Sequence, residues 1–158
     1  MTKFTKKDFR SIALDFQKKG DDNKVIAYLL KAIEAGDALA CIDMVLEIKY
    51  LREGYEYSEE ALAAIDPDKF GYYLDLGIEL GSLDCMFYKA REQVIGDGFI
   101  DYNAKEAYET FLKLKELGYD PEFFDEDESA IDDYINSALK DMNRSFNKPK
   151  YTQRYVRL

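Results

Sequence analysis

Apolar residues recur at three- and four-residue steps through most of the first 143 positions, and the pattern breaks at glycines and helix-capping residues. The clearest stretch is 66–81. Asp66 stands as N-cap, Pro67 at the first helical position and Asp68 in the first turn; Phe70, Tyr73, Leu74, Gly77 and Leu80 share one face, and Gly81 lies just past the end. The pattern occurs three times. Aligning Gly36, Gly81 and Gly118 places Glu34, Glu79 and Glu116 two residues earlier, and Leu29, Leu74 and Phe111 seven earlier. A glycine in that place is expected to end its helix in the left-handed conformation, so that Gly81→Val is expected to cost more stability than Gly77→Ala.

Taken in order, Thr5 to Asp8 reads as a capping box ahead of the stripe Phe9, Ile12, Ala13 and Phe16, which Gly20 closes. Asp21 or Asp22 caps a second helix with Ile26, Leu29, Leu30 and Ile33 buried. A third runs from Ala38 to Leu51, and a short helix from Ser58 to Ile65 interrupts the repeat. After Gly81 come Leu83 to Ile95, a helix capped by Asn103 with Glu106 three residues on, and a helix from Ala130 to Asn143. The expectation is all-α, with about six main helices in antiparallel pairs plus the short one. Helix pairs of this size cannot bury their faces alone, so they are expected to stack as an α-solenoid over 1–143, closed by a C-terminal capping helix.

Composition agrees with a folded chain: 47% of residues are apolar and 15% aromatic, well above what disordered chains carry. No apolar run approaches the ~20 residues needed to span a bilayer, and residues 1–8 lack the apolar core of a secretory signal, so a soluble, cytoplasmic protein is expected. Histidine is absent. That removes histidine general bases, Ser-His-Asp and Cys-His nucleophiles, and histidine-ligated zinc. Cys41 and Cys85 form no metal-binding or redox spacing; they read as small core residues, or else as a disulfide between neighbouring repeats. No cofactor is indicated.

Charge narrows the partner. The chain carries −10 overall, yet residues 144–158 hold five basic residues and no acid, which leaves −15 on the first 143. Such a body repels phosphate backbones and anionic lipid, so nucleic acid and membrane are poor partners and a basic protein surface is a good one. Between Asp120 and Asp133 there are eight acids and no base. Asp125, Asp127, Ser129 and Asp133 fall at EF-hand ligand positions, but Ala130 replaces the turn glycine and Asn136 the bidentate glutamate, so the segment reads as an acidic turn with Ser129 and Asp132 as a capping box. The tail at 144–158, with Lys148, Lys150, Tyr151, Arg154, Tyr155 and Arg157, reads as an extension folded back on the acidic surface or as an unstructured tag.

Residues 82–118 resemble the SEL-type repeat, a short relative of the tetratricopeptide repeat. Gly96-Asp97-Gly98-Phe99 stands for its Gly-x-Gly turn, Asn103 to Ala107 for its Lys-Ala helix start and Glu116-Leu117-Gly118 for its end; Lys31 to Ala38 resembles one unit's end and the next one's start. The likeness extends over about 20–120 and is weakest in the middle unit, where the Gly-x-Gly is missing. It implies a protein-binding solenoid with no catalytic residues. Small acidic helical proteins of this kind are also similar, at the level of fold, to bacterial toxin-immunity proteins.

Counting from the preceding glycine, Asp43 and Tyr88 occupy one repeat position, and Glu47 and Glu92 another. If the first helix of each unit lines the concave side, as the resemblance implies, then Asp43, Glu47 and Tyr50 with Tyr88, Arg91 and Glu92 form the protein-binding surface; otherwise they are an ordinary solvated face. The expected function is non-enzymatic protein binding, most specifically an immunity-type inhibitor of a basic toxin. The alternatives are a cytosolic scaffold or adaptor holding an endogenous peptide, and an enzyme of unfamiliar type.

Overall fold

The computed structural model describes residues 8–96 and 98–147. Among them there are eight α-helices and no strand: α1 (Phe9–Lys18), α2 (Asp22–Glu34), α3 (Ala38–Arg52), α4 (Glu59–Ala64), α5 (Phe70–Glu79), α6 (Leu83–Ile95), α7 (Ala104–Glu116) and α8 (Glu128–Asn147). Seven are long and α4 is the short interruption, one more long helix than the repeat count anticipates. Single 3₁₀ turns at Pro67–Lys69 and Pro121–Phe124 precede α5 and α8.

Glycine makes the helix ends. Gly36, Gly81 and Gly118 have φ of +89°, +93° and +72°. Each closes a Schellman motif, which satisfies carbonyls the helix leaves open: Gly81 N–H reaches Ile78 O at 2.9 Å and Ser82 N–H reaches Gly77 O at 2.9 Å. The same pair of bonds recurs at Gly20, Gly36, Gly54 and Gly118. These short stops end α1, α2, α3, α5 and α7.

The N-terminal caps are aspartates more often than the sequence signals. Asp21, rather than Asp22, accepts from Lys24 N–H, and Asp66 caps the 3₁₀ turn that leads into α5. Asn103 and Glu106 form the expected box, with Glu106 N–H to Asn103 Oδ1 at 3.1 Å and Asn103 Nδ2 to Glu106 Oε2 at 3.2 Å. Two expectations fail. Asp8 caps α1 by accepting from Ser11 N–H at 2.7 Å, and Thr5 to Lys7 lie outside the described residues. Asp127 caps α8, taking both the N–H and the hydroxyl of Ser129, while Asp132 pairs with Lys115 at 2.6 Å. Helix α8 therefore begins two residues earlier than expected, and it runs four residues beyond Asn143.

The chain forms two compact units divided between Met86 and Phe87, within α6. In the first, α1 packs on α2, α2 on α3 and α4, and α3 on α5. Helix α3 is the centre: Ala40, Cys41, Ile42, Met44, Val45 and Ile48 are buried on most sides of it. In the second, α7 packs on α8 and the core is aromatic: Phe87 contacts Phe111, Tyr119, Phe124 and Tyr134, with ring centroids 5.3–6.0 Å apart. Each buried side chain of this size contributes roughly 1.5–3 kcal/mol. Both cysteines are free and buried. No described helix is long and apolar enough to cross a membrane.

Candidate interaction sites

The six stripe residues are engaged within their own units. In the first unit, α1 carries Arg10 against α3, and its guanidinium donates to both oxygens of Asp43, from Nε at 2.5 Å and Nη2 at 3.3 Å. One turn on, Glu47 is 8% exposed and accepts the Tyr57 hydroxyl at 2.7 Å. Tyr50 stacks on Tyr55 with centroids 5.0 Å apart. Asp43, Glu47 and Tyr50 thus do come together, around a cavity of about 60 Å³ that Val25 and Leu46 also line. Burial raises the Glu47 carboxyl above its ordinary value, and the neighbouring Asp43 and Asp22 charges add to this. Burial also outweighs Arg10 at Asp43.

The contact from Tyr57 belongs to a strap. Residues 55–58 cross from α3 to α4, and besides Tyr55 and Tyr57 the strap is fixed by Ser58, whose N–H and hydroxyl both donate to Asp22, at 2.7 and 2.8 Å. Ala61 and Ile65 are buried behind it. The insertion is therefore a preorganised piece of the first unit, and its outward side carries Glu56, Glu59, Glu60, Leu62 and Asp66. From Glu53 to Asp68 there are six acids and no base, and none of these six is in an ion pair among the described residues.

In the second unit Arg91 is paired with Glu126 at 2.8 Å and lies over the rings of Phe87, Tyr88 and Phe124, 5.0–5.7 Å from their centroids. The Tyr134 hydroxyl donates to the same carboxylate at 3.1 Å. Tyr88 and Glu92 are 0% and 1% exposed. This arrangement orders the acidic turn. Pro121 and Phe124 point inward, Glu126 holds Arg91, and Asp125 takes a left-handed φ of +58°, which leaves Glu122, Phe123, Asp125, Asp127 and Glu128 outward. Asp127, one of the EF-hand positions, is committed to its cap.

Sequence pattern alone could not give the partners Arg10, Tyr57 and Glu126. A signal existed: carboxylates on a helix as apolar as α3 must find donors, since an unpaired buried charge costs several kcal/mol. Tyr73, on the apolar face of α5, is buried, and its neighbour Tyr72 is exposed. The basic tail from Lys148 onward lies outside the described residues.

The sequence matches no protein-family model, and neither a curated protein nor a solved structure matches it.

Proposed function

We propose that the chain is a non-enzymatic protein-binding module of stacked helix pairs, most specifically an immunity-type inhibitor that covers the basic surface of a toxin. The observation that carries this reading is where polar side chains are spent. Arg10 and Tyr57 in the first unit, and Arg91 and Tyr134 in the second, are engaged inside their own units, while the outward carboxylates of 53–68 stand beside exposed Tyr55 and Leu62 in the first unit and those of 120–128 beside exposed Phe123 in the second. Charge of one sign around a few apolar side chains is the pattern of a surface that steers a cationic protein and then holds it by apolar contact. The five glycine stops support the stacked arrangement, because they close five of the described helices, α1, α2, α3, α5 and α7, in one manner.

The test is affinity capture from the native organism with mass spectrometry, followed by binding kinetics on the purified partner. A basic partner whose association slows steeply between low and physiological salt is the expected result; a partner of acidic surface, or association indifferent to salt, overturns the reading.

A further inference from the structure

A cleft of about 410 Å³ in the second unit lies between the end of α6 and the start of α7. The segment 98–103 forms its wall and is tied to α6 by the Asn103 N–H, which donates to the Gln93 carbonyl at 3.0 Å. The Gln93 side chain, only 4% exposed, lines it as a buried amide. Phe99 and Tyr102 supply aromatic surface, and Asp101 and Glu106 supply two carboxylates against the single ammonium of Lys89.

These groups select a ligand by chemistry. Lys89 Nζ stands 3.9 Å from Glu106 Oε1, beyond a close contact, so the pair leaves Glu106 accessible to another donor. The Asn103 amide fixes the other oxygen of Glu106 and hence its orientation. Asp101 is exposed and in no ion pair among the described residues. Burial and a hydrogen bond to Asp141 push the Tyr102 phenol up to about 12, so its ring remains neutral and anchored. An anion is repelled by two carboxylates. A compact ammonium can meet them but cannot also lie flat on a ring, whereas a planar guanidinium bonds carboxylates in its plane and stacks through its face. The same unit surrounds its own Arg91 with three rings and a carboxylate. The volume sits in the lower part of the ~300–1,000 Å³ typical of ligand pockets, and accommodates an arginine side chain with its flanking peptide groups.

We infer that this cleft is a pocket for an arginine side chain of the protein partner, with the guanidinium held by Asp101 and Glu106 and stacked on Phe99 or Tyr102. The inference rests on the reading of the chain as a protein-binding module, and it assigns one anchoring point within it.

The experiment titrates the full ¹⁵N-labelled chain with N-acetyl-arginine methylamide, and separately with the lysine and glutamate equivalents. Saturable shifts centred on Gln93, Asp101 and Asn103 are expected with the arginine probe at millimolar concentration, about fivefold weaker with lysine and absent with glutamate. Asp101→Asn with Glu106→Gln should weaken the arginine response at least about fivefold while thermal unfolding stays in place, since glutamine also serves in a capping box. Absence of saturable shifts, equal response to lysine, or indifference to the double variant overturns the pocket. The titration contains no partner, so its failure would remove the pocket alone, and partner capture tests the module separately.

Discussion

At the residue scale, two glycines about one helical turn apart at the end of α5 behave oppositely. Gly81 needs its left-handed φ of +93°, but a side chain there would meet open space, so Gly81→Val costs roughly 1–2 kcal/mol of backbone strain. Gly77 has ordinary helical geometry, yet a Cβ on it would fall on Cys85 Sγ and press the Cβ atoms of Cys85 and Cys41 at 3.2 and 3.3 Å. Overpacking of that kind costs ~1–3 kcal/mol and consumes the helix propensity that alanine brings. Gly77→Ala should therefore destabilise at least as much as Gly81→Val in urea unfolding, the reverse of the order expected from helix ends alone. The apolar stripe correctly put Gly77 inside; what it could not carry was that a sulfur fills the missing side chain's place. If Gly77→Ala is as damaging in a Cys85→Ala background as in the parent, the sulfur is not the obstacle. The two thiols are suited to this packing role, because burial pushes Cys85 up to about 11 and Cys41 up to about 12, far from thiolate chemistry. Glu47 gives a second test. Its folded pKa is raised by burial above 4.5, so the folded state binds that proton more tightly than the unfolded chain does. The resulting stability is full below the unfolded pKa and is lost as pH rises through the folded one. Glu47→Gln, which can still accept from Tyr57, should accordingly look better relative to the parent at pH 7.5 than at pH 4.5; a difference that is flat with pH would contradict a raised pKa.

At the scale of elements, glycine stops and capping boxes were readable because they are local chemistry: Asn103 with Glu106 and Asp66 with Pro67 need no neighbour to be recognised. Where several aspartates and serines adjoin, tertiary contacts choose among them. Lys115 takes Asp132 and so leaves Asp127 to cap α8, and Ser58 takes Asp22 and so leaves Asp21 to cap α2. The polar stripes of α3 and α6 illustrate the same limit, since a helix pattern cannot tell a carboxylate facing water from one facing an arginine of another helix. The Arg91–Glu126 pair joins α6 to the acidic turn, with side chains 17% and 24% exposed. Glu126→Ala strands a largely buried guanidinium and should cost about 2–4 kcal/mol, somewhat below the range for fully buried pairs. Replacing both partners by apolar residues, as in Arg91→Met with Glu126→Leu, should cost less than the single change, because no charge is left without a partner. Thermal unfolding of the four-member cycle decides: equal or larger loss in the double variant would mean that the pair contributes more than it costs to bury.

At the scale of the whole molecule, charge and shape are divided between surface and interior. The helices were legible because periodicity survives any arrangement of neighbours, whereas the proposed binding surface was not, because outward groups are what the interior leaves over. Asp43 and Glu47 occupy positions suited to a repeated contact stripe, but reversing their charge would strike Arg10 and Tyr57 before it reached any partner. The discriminating substitutions are the outward ones. Glu59 and Glu60 lie on the first turn of α4, and Glu122 on the turn before α8, all exposed and in no ion pair among the described residues. Changing the three to lysine reverses three outward charges while touching no buried group, at a cost of a few tenths of a kcal/mol per residue from the helix dipole at α4. With the captured partner, the triple variant should associate about tenfold more slowly at low salt and show a flatter salt dependence, because complementary charge acts chiefly on encounter. Phe123→Ala should leave encounter unchanged and speed dissociation, since an exposed ring held in place by Phe124, 5.1 Å away, is a fixed apolar contact within the acidic field. Stopped-flow association and surface-based dissociation measure the two separately. A partner that binds the lysine variant as fast as the parent, and leaves Phe123→Ala no sooner, uses neither acidic segment, and the acidic, apolar-studded exterior of each unit would then serve solubility rather than recognition.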